Sequence, residues 1–356
     1  MLLQNNIFSI IWPTYLLLKC IGFASYKIHR NKETIHAVKD VFYNRIITLV
    51  LFIFLGFITL FHLQILVEFN HRDILLKLTW SFYMMCNLVT IVINIILNRV
   101  YINNTINLLN RLHKVELKIT NSKIHLNYKN IRIISLIYVI VNIIIEFSTL
   151  ISVSVVLPIF QEQSFKVVMT LFSFGFMGVL TSLSDGNTIT IISIMHCMLV
   201  HINRHMKESF FNKTDFLPKE STRTNGIHLF FIQSVSRISA IHENLSEILK
   251  GFNKVVSVQI LINIGTYFCV LTMQSFSLAN SLFKETEVNI SLVIFSTISI
   301  LYCLMKILIF VIVCTMCEKE VNYSLRLRIL CEFSIFRING ARKSCFTYHV
   351  MQRTSI

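Results

Sequence analysis

Six long apolar segments constrain this chain more than any other feature of its sequence. A helix needs about 20 mostly apolar residues to cross the hydrocarbon core of a bilayer, because each residue adds about 1.5 Å of length. Six segments meet this requirement: Ile46–Val67, Leu78–Leu97, Ile131–Leu157, Phe165–Val200, Val255–Ala279 and Asn289–Cys314. The sequence therefore predicts an all-α, polytopic membrane protein.

The composition argues against a soluble enzyme. Of the 356 residues, 54% are hydrophobic and 14% are charged, whereas soluble domains carry about 25% charged residues. The sequence has no glycine-rich phosphate loop, no His-Glu-x-x-His and no serine elbow, which are typical of enzymes and metal sites. We expect no catalytic residue, no metal site and no cofactor.

The net charge of +15 indicates membrane orientation and not nucleic-acid binding. Lys and Arg punctuate the apolar segments instead of forming one basic face on a polar fold. The N-terminal 45 residues, the segments Arg99–Arg132 and His201–Lys254, and residues 318–337 hold 25 of them, whereas the alternate short connections hold 4. Cytoplasmic segments retain Lys and Arg. The N-terminus and the long connections are therefore predicted to be cytoplasmic, next to anionic membrane lipid and opposite to the orientation of G-protein-coupled receptors.

This orientation divides the chain into five regions. They are a cytoplasmic N-terminus with an interfacial helix over Ile7–Ala24 (1–45), transmembrane helices 1 to 4 (46–200), a cytoplasmic loop and helical anchor (201–254), transmembrane helices 5 and 6 (255–314), and a cytoplasmic turn followed by a seventh helix (315–356).

The helical anchor is predicted from the periodic spacing of apolar residues. Apolar residues and His242 recur every three or four positions from Val235 to Phe252, as in a heptad seam. No proline separates this seam from the fifth span, so one helix is predicted over His228–Ala279. The segment Phe165–Val200 is likewise longer than a bilayer requires, and we expect the extended helices to form a cytoplasmic bundle.

Polar side chains within the spans are candidates for a ligand pocket, because such groups in a membrane usually face the bundle interior. Three groups have the spacing of one helical face. They are Trp80, Tyr83 and Asn87 in the second span, Tyr138, Asn142 and Glu146 in the third, and Tyr267 and Gln274 in the fifth. Together they predict a pocket for a small polar or aromatic ligand in the middle or outer half of the bilayer. The alternative is that Trp80 and Tyr83 form an interfacial aromatic belt and that the Asn residues link helices.

Two further charged residues lie inside apolar segments. Asp185 falls in the fourth span and Lys306 in the sixth. They form an ion pair, or the Lys306 side chain extends to the inner surface; the sequence does not decide between the two.

Two stretches resemble the insect gustatory receptor family. Arg237-Ile-Ser-Ala-Ile-His242-Glu-Asn-Leu245, followed by Gly251-Phe-Asn253, is similar to the fifth-helix region of that family. Thr347-Tyr348, followed by Gln352, looks like its seventh-helix signature. The resemblance implies a tastant-gated, non-selective cation channel in the plasma membrane of sensory neurons. It also implies a homo- or hetero-tetramer, a pore helix that carries Thr347, Tyr348 and Gln352, and a pocket for a small-molecule tastant. Insect odorant receptors share this architecture and are the closest alternative.

The last segment departs from the family pattern. Three residues instead of five separate Tyr348 from Gln352, and Arg353 replaces a Phe. Arg337, Arg342 and Lys343 interrupt the segment, and each charge at a helix centre costs about 2.5–3.5 kcal/mol on insertion, while an Ile or Phe returns only about 0.3–0.6 kcal/mol. The seventh helix is therefore predicted to be short and atypical, and a truncated, non-conducting family member remains an alternative.

Overall fold

The chain folds almost entirely into helices, as the sequence predicts. The computed structural model describes residues 6–24, 26–30, 35–68, 74–122, 124, 126–156, 164–214, 224–283 and 290–353. Within those ranges the helices are α1 (Ile7–Cys20), α2 (Val41–Glu68), α3 (Ile74–Val100), α4 (Ile102–Asn121), α5 (Lys129–Val156), α6 (Ser164–Thr214), α7 (Thr224–Phe283) and α8 (Ile290–Arg353). The protein is an all-α, polytopic membrane protein.

The apolar segments coincide with helices. Apart from the terminal Leu157 and Asn289, which lie outside the described residues, the six segments fall in α2, α3, α5, α6, α7 and α8. Five stretches of the described chain are long and apolar enough to span a bilayer: Val41–Phe61, Lys129–Ser148, Phe176–Glu208, Ser236–Phe283 and Ser296–Arg326. The second half of α3, Met85–Val100, meets the same length and hydropathy criteria only together with α4, from which it is separated by a bend of 66°.

Three helices are much longer than a bilayer requires. The α6 helix has 51 residues, α7 has 60 and α8 has 64, which correspond to about 75, 90 and 95 Å, against about 30 Å for a hydrocarbon core. The single helix predicted over His228–Ala279 is confirmed. Its seam faces the interior, since the side chains of Ile238, His242 and Leu245 are at most 3% exposed. The N-terminal half of α7 packs against α4, where Glu247 pairs with Arg111 at 2.6 Å.

The end of the chain differs from the expectation for residues 315–356. Instead of a turn and a separate helix, α8 continues from Ile290 to Arg353 as one helix of 64 residues. Its sequence contains no proline and a single glycine, Gly340, so nothing in it interrupts helical hydrogen bonding. The charges at Arg337, Arg342 and Lys343 also oppose a separate insertion into the bilayer.

The N-terminal region is more buried than an interfacial helix. The α1 helix begins with a capping box at Asn6, whose side chain accepts a hydrogen bond from the Ser9 amide. Its apolar residues, including Ile7 and Ile11 at 0% exposure, pack against α5 and α6, and Leu16 and Leu17 are its exposed large apolar residues. Most of the apolar surface of α1 is therefore covered by protein.

A short antiparallel hairpin follows α1, which hydropathy did not predict. Strand β1 (Tyr26–Arg30) pairs with β2 (Ile35–Lys39). The hairpin is fixed to α4 because the Asn110 side chain accepts a hydrogen bond from the Ala37 amide at 2.8 Å and donates one to the Ala37 carbonyl oxygen at 3.0 Å. The hairpin and α4 belong to the predicted cytoplasmic side.

Candidate functional site

Three charged side chains meet in the interior of the bundle. Lys306 on α8 is 1% exposed, Asp185 on α6 is 0% exposed and Glu146 on α5 is 9% exposed. The Lys306 ammonium lies 3.8 Å from Asp185 Oδ2 and 3.7 Å from Glu146 Oε1. Lys306 therefore does not extend to the inner surface, and the ion pair is the alternative that the structure supports.

Asp185 is held by both of its oxygens. Asn263 on α7 donates a hydrogen bond to Oδ1 at 2.7 Å, and the Tyr267 hydroxyl, one turn further along α7, donates to Oδ2. Asn94 on α3 in turn donates to the side-chain oxygen of Asn263 at 3.0 Å. These bonds connect α3, α7 and α6, and they satisfy a carboxylate that would otherwise be costly to bury.

Glu146 is connected through a hydroxyl pair. The Tyr302 hydroxyl on α8 donates to Glu146 Oε1 at 2.8 Å and lies 3.2 Å from Ser182 Oγ on α6. Ser182 Oγ also accepts a hydrogen bond from the Lys306 ammonium at 3.1 Å. That ammonium lies 4.6 Å from the ring centroid of Tyr302 and 5.0 Å from that of Tyr267, within cation–π range.

Eight side chains from five helices thus form one connected set, which we call the buried charge network. Its members are Asn94 (α3), Glu146 (α5), Ser182 and Asp185 (α6), Asn263 and Tyr267 (α7), and Tyr302 and Lys306 (α8). Because one ammonium faces two carboxylates, the network carries an excess negative charge when all three groups are ionised.

Small residues on α6 let α5 approach closely enough for Glu146 to enter the network. A Cβ atom on Gly178 would lie 2.3 Å from Glu146 Oε2, and one on Gly186 would lie 2.9 Å from a methyl carbon of Val139. Together with Ser182, these positions repeat every four residues along one face of α6. Such a stripe of small residues is a common helix-packing surface in membranes.

A small cavity of about 70 Å³ lies near the network on its predicted cytoplasmic side. Gln259 on α7 donates a hydrogen bond to Ser184, the residue before Asp185, and both line this cavity together with Thr188 and apolar residues of α4 and α7. Among the residues that the structure describes, no group of three or more His, Cys, Asp or Glu side chains is placed to hold a metal ion.

Five of the eight predicted pocket residues have described, buried side chains. Glu146 and Tyr267 belong to the network, and Tyr138 packs beside Gly186. Asn142 donates to the Tyr138 carbonyl oxygen of its own helix at 2.6 Å, and Gln274 is 5% exposed two turns beyond Tyr267.

The other predicted residues are less completely described. Asn87 is half-buried on α3, two turns from Asn94 toward the outer side. The side chains of Trp80 and Tyr83 lie outside the described residues. So do those of Thr347, Tyr348 and Gln352, whose backbone belongs to the last turns of α8.

Four network residues were not predicted from the sequence: Asn94, Ser182, Asn263 and Tyr302. Three of them lie at helical spacing from a polar residue that the sequence did single out. Asn94 follows Asn87 by seven positions, Asn263 precedes Tyr267 by four, and Tyr302 precedes Lys306 by four. A search for polar residues one or two turns further along the same helical face would find them.

Comparison with known families gives one match. Residues 12–335 match the 7tm Chemosensory receptor family. The matched range includes every member of the buried charge network. No curated protein matches the chain.

Proposed function

Because the chain belongs to the 7tm Chemosensory receptor family, we propose that it is a gustatory-type receptor, a subunit of a tastant-gated, non-selective cation channel. It acts as a homo- or hetero-tetramer in the plasma membrane of chemosensory neurons. The observation that carries this proposal is the buried charge network, which joins five helices in the interior of the bundle. An odorant-receptor-type channel subunit is the nearest variant of the proposal.

The network is suited to transmit ligand binding. The residues Glu146, Tyr267, Tyr302 and Lys306 lie about 15 to 25 Å along their helices from the predicted outer ends, near the middle of a bilayer. A contact that shifts α3 or α5 changes the hydrogen bonds available to α7 and α8 through Asp185 and Lys306. Packed charged groups with alternative partners respond in discrete steps, as coupling requires.

In this proposal the ligand pocket includes Glu146 and Tyr267 of the network and extends from them toward the outer side. Asn87 precedes Asn94 on α3 by two turns, and Gln274 follows Tyr267 on α7 by two turns, so both lie nearer the predicted outer ends. The proposed pocket comprises the eight residues predicted from sequence: Trp80, Tyr83, Asn87, Tyr138, Asn142, Glu146, Tyr267 and Gln274. Tyr138 and Asn142 lie two turns and one turn to the inner side of Glu146 on α5 and form the inner end of the pocket.

Calcium imaging tests the proposal. Cells that express the chain at their surface are exposed to a panel of sugars, alkaloids and volatiles. At least one compound should raise intracellular calcium, and the response should disappear when extracellular calcium is removed. Silence across the panel from a tetramer at the cell surface would count against channel function.

A second candidate is a non-conducting family member that retains the receptor scaffold. The continuity of α8 from Ile290 to Arg353 favours it, because a helix without a turn does not return across the bilayer. Tags at both termini distinguish the two candidates. A cytoplasmic N-terminus with an extracellular C-terminus supports the conducting receptor, whereas two cytoplasmic termini support the non-conducting one.

A further inference from the structure

A groove opens on the surface where α2 begins and α3 ends, outside the buried charge network. It is a cavity of about 510 Å³ lined by Lys39, Val41, Asn44, Arg45, Thr48, Leu49, Phe52, Arg99 and Ile102. The orientation derived from the Lys and Arg distribution places this end of α2 and α3 at the cytoplasmic surface of the membrane.

Three cationic residues line the cytoplasmic end of the groove. Lys39 ends strand β2, Arg45 lies in the first turns of α2, and Arg99 lies in the last turn of α3. No acidic residue is among the lining residues that the structure describes. The nearest acid in sequence, Asp40, is already paired with Lys19 at 2.9 Å.

The position of Arg99 is built into the fold. Its guanidinium donates to the side-chain oxygen of Asn44 at 2.9 Å and to the Gly22 carbonyl oxygen at 2.7 Å. Asn44 is 7% exposed, and Gly22 has φ +84°, a left-handed conformation that favours glycine. The α1–β1 connection and α2 thus hold a cation in place at the groove.

The other end of the groove is apolar and open to lipid. Leu49 is 63% exposed and Phe52 is 40% exposed. They follow Arg45 by four and seven positions, so the three side chains share one face of α2. Phe52 lies about 10 Å deeper along the helix than Arg45, which corresponds to the step from a headgroup to an acyl chain.

We propose that this groove binds one anionic phospholipid of the inner leaflet. The headgroup phosphate lies between Lys39, Arg45 and Arg99, and an acyl chain lies along Leu49 and Phe52. Basic pockets between helices at the cytoplasmic surface are typical of such binding. A soluble anion would use the cations but would gain nothing from the apolar end, so the combination of both ends selects a lipid.

Native mass spectrometry of the purified full-length protein tests this proposal. The protein in detergent is incubated with phosphatidylserine or with phosphatidylcholine of the same acyl chains, and the lipid-bound fraction is measured. Phosphatidylserine should be retained in preference. Glycerophosphoserine, the headgroup without acyl chains, should not displace it at equal concentration. Equal retention of the two lipids, or equally effective displacement by the free headgroup, would overturn the proposal.

Two exposed cations provide the variants. Lys39→Gln with Arg45→Gln should weaken phosphatidylserine binding roughly 30-fold, since each basic residue near a membrane surface contributes about a fivefold gain. The matched control is Lys114→Gln with Lys118→Gln, two exposed cations on α4. An unchanged affinity in the first double variant, or the same loss in the control, would contradict the assignment. The melting temperatures of both double variants are measured first, and values equal to that of the wild type show that both variants fold.

Discussion

Lys306 is the residue on which the buried charge network most depends. It is the only cation in the network, and its ammonium faces both Asp185 and Glu146 at less than 4 Å. Removing one partner of a buried ion pair usually destabilises a protein far more than replacing the whole pair does, because a charge remains buried without compensation.

Lys306→Met should therefore lower the free energy of unfolding by about 3–5 kcal/mol. A detergent-to-SDS unfolding titration measures this difference. The matched control is Lys319→Met, an exposed lysine on the same helix, which should change stability by less than about 0.5 kcal/mol. Adding Asp185→Asn and Glu146→Gln to Lys306→Met should recover part of the loss. Equal stability of the two single variants would show that Lys306 does not hold the network together.

Gly178 is the second residue with a specific role. Because its Cβ would lie 2.3 Å from Glu146 Oε2, Gly178→Ala should displace the carboxylate or α5 and cost about 1–3 kcal/mol. Gly265→Ala is the control, since a Cβ there meets nothing within 4 Å and alanine favours a helix by up to about 1 kcal/mol. If both variants unfold alike in the same titration, the close approach at Gly178 carries no packing constraint.

The sequence predicted the charged residues of the network but not their connections. Glu146, Asp185 and Lys306 are conspicuous because ionisable groups are rare in apolar segments. Which of them meet depends on how α5, α6 and α8 rotate about their axes, and hydropathy does not determine this. Ser182 was not predicted because serine is common in apolar segments. Its role is apparent only from its hydrogen bond with Lys306.

At the scale of elements, polar contacts fix the N-terminal region to the predicted cytoplasmic end of the bundle, and we call this set of contacts the N-terminal clasp. Lys19 on α1 pairs with Asp40 at the start of α2, and its ammonium lies 3.9 Å from the ring centroid of Tyr43. Buried Glu116 on α4 accepts a hydrogen bond from the Ile7 amide at 3.0 Å and lies 2.8 Å from His113 Nδ1. These contacts tie α1 to α2 and to α4.

The N-terminal clasp should weaken in acid. The hydrogen bond that Lys19 donates holds the pKa of the Asp40 carboxyl below its ordinary value of 3.8. Since the pKa is lower in the folded state, the carboxylate stabilises the fold at pH values above 3.8, and this contribution is lost as the pH falls through the folded-state pKa. Asp40→Asn should cost no more than about 1 kcal/mol at pH 6, and the cost should shrink as the pH falls below 3.8.

Unfolding titrations of the wild type and of Asp40→Asn across this pH range measure the effect. Glu318→Gln, which changes an exposed acid on α8, is the control and should give a smaller difference at every pH. A cost of Asp40→Asn that does not depend on pH would contradict the assignment to the carboxylate.

The sequence predicted best those elements whose formation is dominated by one contribution, the burial of a long apolar face. Hydropathy found the six long helices, and heptad spacing found the cytoplasmic half of α7, because a long apolar face has few alternatives to burial. It did not find the β1–β2 hairpin, which depends on a side-chain bond from Asn110 of a distant helix. It also placed α1 at the membrane interface, because an apolar helix has the same pattern whether lipid or protein covers it.

At the scale of the whole molecule, two features underlie the proposed function. The distribution of Lys and Arg predicts the orientation in the membrane, and the buried charge network joins helices whose predicted starts lie on opposite sides. The family match over residues 12–335 covers both features. The α8 helix continues through the expected turn, and its last residues, 336–353, lie beyond the matched range. The choice between a conducting and a non-conducting receptor therefore depends mainly on these residues.

The central claim is that the buried charge network couples ligand binding to a cation conductance. Dose–response curves of ligand-evoked current, recorded at matched surface expression for the wild type, Tyr302→Phe and the control Tyr323→Phe, an exposed tyrosine on the same helix, test it most directly. Tyr302 belongs to the network through its bond to Glu146 but is outside the proposed pocket. Coupling free energies of 1–3 kcal/mol correspond to about 5- to 150-fold changes in affinity. Tyr302→Phe should therefore shift the half-maximal ligand concentration at least about fivefold, while Tyr323→Phe leaves it unchanged. Superimposable curves for the wild type and Tyr302→Phe would contradict the account.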